Sequence, residues 1–297
     1  MPPIKHDDPR PFLTVVAWPE GLDRNEFAEM LFLSADLDEP TTRLRLGREP
    51  PMIVGQVDTA AARAAVRSIL DFGGDAFAPT LDDLAALGGT LKIRDLRLAR
   101  GDIEIDLWRG LSTTIRRDQV QILVRAHLRS TERRPPVVRP GPVYAGLGVN
   151  PYFGDVSAVA GIAAGGALAF RAAYLANAGS LGERRLSTSD KLDIHTTDGS
   201  VYQIDGDKFA YGILGDLRGH GDKANMDSMC ELLGHLAPDE VLDPFFPLWH
   251  PPPGYERLRL PGMKINGDDP AFAFYSRWAA LLYRHVLAPG GDAPPGR

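Results

Sequence analysis

Between Asp190 and Asp222 the chain reads DKLDIHTTDGSVYQIDGDKFAYGILGDLRGHGD, a concentration of histidine, aspartate and glycine of the kind that metal centres and acid–base sites use. The same letters also build tight turns. Asp198-Gly199 and Asp205-Gly206 are D-G steps flanked by alternating apolar residues, which is the pattern of hairpins. RGHGDKAN then reads as a loop entering a helix, with Asp222 or Asn225 as its cap. Elsewhere the chain has no G-x-S-x-G nucleophile elbow, no H-E-x-x-H pair and no spaced Cys/His cluster. Cys230 falls beside Leu232 and Leu233 on the apolar face of a helix, the setting of a buried structural thiol.

The segments DIH and LGDLRGHGD resemble the first two motifs, D-x-H and G-D-x-x-D-R-G, of calcineurin-type metallophosphoesterases. The resemblance implies a two-metal centre held by Asp193, His195 and Asp216, clamping the attacking and leaving oxygens of a phosphate ester. The chain departs from that pattern in three ways. Hairpin grammar stands where the family has a helix. The second motif lacks its arginine and second aspartate in the required order. No later asparagine-histidine or paired-histidine motif follows, since His235 lies in a helix and His250 among prolines. The reading drawn from the residues themselves has no catalytic, metal or cofactor-binding residue, and the phosphoesterase is its alternative.

An internal correspondence accounts for the stretch better. IEIDLWRGLSTTIRRDQVQILV from Ile103 superposes without gaps on LDIHTTDGSVYQIDGDKFAYGI from Leu192, an offset of 89. It matches Ile105 with Ile194, Gly110 with Gly199, Ile115 with Ile204, Asp118 with Asp207 and Val120 with Phe209. Each copy reads as strand, glycine turn, strand, then an aspartate able to cap the exit through nearby backbone N–H groups.

The elements that must carry these residues follow from periodicity. PFLTVVAW reads as a strand, and Asp23 caps a helix in which Phe27, Met30 and Leu31 recur at helical spacing. PMIVGQV is a second strand, Asp58 caps the helix TAAARAAVRSILDF, Gly73 and Gly74 stop it, and DAFAP returns extended. These glycines follow a helix instead of opening one, so they form no phosphate cradle. From Leu91 to Leu128 alternation predicts three antiparallel strands with one face buried. Near the end, Asp269 and Pro270 open a helix whose Phe274, Trp278, Leu281 and Leu282 line one side.

The expected fold class is α+β, as two small domains with helices on one face of an antiparallel sheet: residues 1–130 and 189–288. Between them 131–188 reads as a spacer, Pro/Arg-rich and then Ala/Gly-rich, and 289–297 as a flexible tail. The apolar run from Val156 to Phe170 is too short for a bilayer span. With 44% hydrophobic and 24% charged residues the chain can bury a core, and a net charge of -6 argues against a dedicated nucleic-acid binder. One cysteine and a proline-rich acidic start without an export signal fit the cytoplasm. The arginine cluster Arg129, Arg133, Arg134 and Arg139 offers contact with an anionic polymer or membrane as a further alternative. The leading expectation is a non-enzymatic interaction or regulatory protein that meets a protein partner through Phe245, Phe246 and Trp249 of the loop DPFFPLWHPPPGYERL.

Overall fold

A computed structural model of the chain describes residues 10–21, 23–35, 37, 39–133, 184–235, 242–252, 260 and 269–287. The apolar run after Pro11 forms β1 (Phe12–Ala17), and β2 (Met52–Gln56) and β3 (Asp75–Phe77) pair antiparallel on either side of it. Helix α1 (Arg24–Ala35) starts where Asp23 Oδ1 accepts the Asn25 N–H at 2.8 Å, and α3 (Thr59–Asp71) where Asp58 Oδ1 accepts that of Ala61, also at 2.8 Å. These caps satisfy N–H groups that a helix start leaves without an internal partner. Between them α2 (Glu39–Leu46) is a helix that periodicity left unread. Leu13, Val15, Phe27, Leu31, Val54, Ala65 and Ile69 close this core.

A second, seven-stranded sheet has the order β10-β7-β8-β9-β4-β5-β6. Its members are β4 (Thr90–Ala99), β5 (Asp102–Leu107), β6 (Ser112–Ile115), β7 (Val120–Arg133), β8 (Arg184–Thr196), β9 (Val201–Asp205) and β10 (Leu242–Asp243). A short helix, α4 (Leu81–Ala86), leads into β4 behind a capping box of Thr80 and Asp83. Where the alternation predicted three strands after Leu91, the chain makes four.

The 89-residue correspondence is present in the strand register and in the turn bonds. In the first hairpin Ile103 pairs with Ile115 and Ile105 with Thr113; in the second Leu192 pairs with Ile204 and Ile194 with Tyr202. The Gly110 N–H donates to Leu107 O at 2.9 Å, and the Gly199 N–H to Thr196 O at 2.9 Å. Both glycines sit at positive φ, 78° and 89°, which a side chain would strain. The exits match too, with Gln119 N–H on Arg116 O and Lys208 N–H on Asp205 O, both at 2.9 Å. These exits are closed by backbone carbonyls, whereas the expected closers, the Asp118 and Asp207 side chains, are exposed and go to Arg116 and Ser189. The hairpins share the sheet through β4, which runs antiparallel to β5 and parallel to β9.

Alternation gives each hairpin an apolar face and a polar one. The apolar faces, among them Ile103, Ile105, Leu192, Ile194 and Ile204, share a core with Met226, Met229, Cys230 and Leu233 of α5 (Asp222–Gly234). No side chain caps α5; it begins at Asp222, three residues before Asn225, whose Oδ1 instead accepts the Gly219 N–H at 2.8 Å. The C-terminal helix α6 (Pro270–Leu287) begins where Asp269 Oδ1 takes the N–H groups of Ala271 and Phe272. It is buried on every side from Phe272 to Ala280, not on one stripe only.

The described residues of 10–127 and 189–287 form one compact unit. The two stretches that the sequence separates into domains thus contribute strands to one sheet. Of the expected spacer, 131–133 and 184–188 are strand, and Arg129 and Arg133 belong to β7. Arg134, Arg139, the run from Val156 to Gly179 and the tail lie outside the described residues. Among the described residues no helix is long and apolar enough to cross a membrane.

Candidate functional site

Helix α6 is central to two features. The first lies beneath it. Asp193 and His195, two residues apart on β8, are 1% exposed, and Ser276 of α6 is 0% exposed between them. The Ser276 hydroxyl donates to Asp193 Oδ2 at 2.6 Å, and Gln203 Nε2 donates to Asp193 Oδ1 at 2.8 Å. With its proton spent on Asp193, Ser276 Oγ accepts from His195 Nε2 at 2.7 Å. That places the ring proton on Nε2 and leaves Nδ1, which has no hydrogen-bond partner among the described residues, as a bare acceptor. Burial drives the imidazole down, to about 3, with Arg277 and Arg284 reinforcing it, and burial pushes the Asp193 carboxyl up.

This is a locking network. Arg277, itself buried, donates to Gly88 O at 3.0 Å and to Ala273 O at 3.1 Å. Trp278 Nε1 donates to Thr14 Oγ1 at 3.2 Å, and Arg284 reaches Gln121 Oε1 at 2.8 Å and Thr196 O at 3.2 Å. Side chains of one helix therefore bond into both sheets.

The second feature is open. The end of α2 and the start of β2, the segment 243–250 and Tyr275, Trp278 and Leu282 of α6 enclose a cleft of about 660 Å³. That is the size of an ordinary ligand site, with the usual predominance of apolar wall. Its floor is aromatic. Trp249 stacks on Phe274 at 5.7 Å and tilts against Tyr275 at 5.3 Å, and Tyr275 tilts against Trp278 at 5.7 Å. At the mouth Phe245 is 60% and Leu248 73% exposed.

The cleft's polar groups are few. Tyr275 OH lies 2.8 and 2.9 Å from the two oxygens of Asp243, to which it donates, and the Phe245 N–H donates to Asp243 Oδ1 at 2.8 Å. Burial raises the Asp243 carboxyl, and burial together with that carboxylate raises the Tyr275 hydroxyl. On the opposite wall Arg45 donates to Ile53 O at 2.7 Å and to Pro251 O at 2.9 Å. Burial, with Arg48 beside it, lowers the Arg45 guanidinium from its ordinary value.

Of the residues singled out from sequence, Asp193 and His195 come together, but around a serine hydroxyl in the core. Asp216 is exposed, in the 3-10 turn Gly212–Leu217. Between His195 and Asp216 the chain makes the β8–β9 hairpin where the phosphoesterase motifs need a helix. Among the described residues no three His, Cys, Asp or Glu side chains are grouped to hold a metal ion. Cys230 is buried, its thiol pushed up to about 11 by that burial.

Phe246 and Trp249 pack on their own fold. Phe246 meets Phe272 edge-on at 5.5 Å and Tyr275 at 5.4 Å, while Phe245 is left outside. Sequence reasoning missed Arg45, Arg48, Asp243, Leu248 and Ser276. The polar Ser276-Arg277 pair inside an otherwise apolar helix was the available signal for the buried network. No protein-family model, no curated protein and no solved structure matches the chain.

Proposed function

We propose that this is a non-enzymatic interaction protein and that the cleft beside α6 receives an extended apolar segment of a partner protein. The observation that carries the reading is the pairing of the part-exposed Trp249, backed by the buried Tyr275 and Trp278, with exposed apolar side chains at the mouth of the cleft, Phe245 and Leu248. Exposed large apolar groups grouped beside a concave apolar wall mark interaction sites. The buried network supports the same reading from the other side, because a hydroxyl, an imidazole and a carboxylate sealed at 0–1% exposure meet no substrate. A cytoplasmic location belongs to this reading, in keeping with a single, unpaired, buried cysteine.

Selection of a phage-displayed random peptide library against the full chain tests it. Enrichment of apolar sequences on the wild type, lost with Phe245→Ser/Leu248→Ser at unchanged thermal midpoint, is the expected result. Equal enrichment on both proteins, or none on either, overturns it.

A further inference from the structure

The cleft carries charge as well as aromatic surface, and the two signs are not equally available. Asp243 is satisfied from within, by Tyr275 OH and the Phe245 N–H. Glu49, exposed on the rim, is engaged in an interaction of its own. On the facing wall the two hydrogen bonds of Arg45 go to the carbonyls of Ile53 and Pro251, which fix its guanidinium without cancelling its charge. Arg48 lies close enough to oppose that charge, and among the described residues no hydrogen bond or ion pair engages its own guanidinium. Two neighbouring cations, one oriented by carbonyls and the other unspent, on the wall of an aromatic cleft are complementary to an anion that brings an apolar group with it. His250, exposed among its prolines, is a further titratable group lining the cleft, beside Glu49, Asp243 and Tyr275.

Resting on the reading of the cleft as a partner site, we infer that the partner segment is acidic: an Asp or Glu carboxylate meets Arg48 and Arg45 while a neighbouring apolar or aromatic side chain lies against Trp249, Phe245 and Leu248. A guanidinium pairs with a carboxylate through two parallel N–H donors, which fixes orientation, and the Trp249 indole with Phe245 and Leu248 supplies apolar contact next to it. A basic segment would bring a third cation against the arginine pair.

The test uses three fluorescein-labelled peptides with one apolar frame of Phe, Leu and Pro, their polar positions filled with Glu, Gln or Lys, and anisotropy titration of the full chain. The Glu peptide is expected to bind about tenfold tighter than the Lys peptide, the difference shrinking as salt rises because the arginine pair is only partly buried. Arg48→Glu, with its circular dichroism unchanged, is expected to abolish or invert that order. Equal binding of all three peptides, or preference for Lys, overturns the acidic inference and leaves the cleft reading standing. Binding of none overturns the cleft reading and the inference with it.

Discussion

The Ser276 hydroxyl donates to Asp193 at 2.6 Å across 83 residues of sequence, and this bond joins the last helix to the second hairpin inside the protein. Ser276 is the sole described partner of His195 and one of two side chains on Asp193. Ser276→Ala removes the donor to a buried carboxylate and the acceptor for a buried imidazole in one step. Since a buried polar group deprived of its partner costs about 1–3 kcal/mol, the variant is expected to lose that amount in urea denaturation. Ser276→Thr, which keeps the hydroxyl, is expected to lose less. Equal losses would mean that volume, not the hydroxyl, is what the site needs.

His195 makes stability fall in acid. Its imidazole titrates at about 3 in the fold against 6.5 when unfolded, so between those values the unfolded chain binds the extra proton. The contribution is complete above pH 6.5 and is lost as pH falls toward 3, with a slope of up to about 1.4 kcal/mol per pH unit for one proton. Asp193, raised by burial, runs the other way: its contribution is present below the ordinary value of 3.8 and is lost as pH rises from there through its raised folded value. His195→Gln isolates the histidine. The wild-type advantage over it is expected to narrow steadily from pH 7 to 4, and the imidazole of the wild type to show no NMR titration above pH 4. Parallel stability curves would remove histidine from the explanation.

The equivalent turns make a matched pair. Gly110→Ala and Gly199→Ala place a side chain at φ of 78° and 89° in surroundings that offer no contact closer than 3.7 Å, so backbone strain of about 1–2 kcal/mol is the common cost. Gly206→Ala differs, because a Cβ there stands 2.9 Å from the backbone carbonyl of Asp190. It is expected to exceed both in thermal denaturation. A Gly199→Ala cost far above that of Gly110→Ala would break the equivalence of the two hairpins.

Much of this architecture was legible in the residues. Asp23, Asp58 and Asp269 cap helices as their positions suggest, because a cap is a local bond between a side chain and N–H groups two or three residues on. The offset that sets Ile105 against Ile194 and Gly110 against Gly199 survives as identical pairing and identical turn bonds, since hairpin register is also local. The cleft was half visible: Phe245 and Trp249 were in view, but Arg45 and Arg48 reach it from about two hundred residues earlier.

The sequence by itself determined which side chains of each hairpin share a face, for alternation is a property of the strand. It could not determine what covers that face. In the first hairpin Glu104 is exposed and Asp106 lies at the surface with Arg97 and Ser112; at the equivalent places Asp193 and His195 lie in the core. One helix makes the difference. Whether the polar face of a strand is washed by water or sealed by a serine depends on where an element 81 to 83 residues away docks, and that is decided by the summed packing of α6 against both sheets.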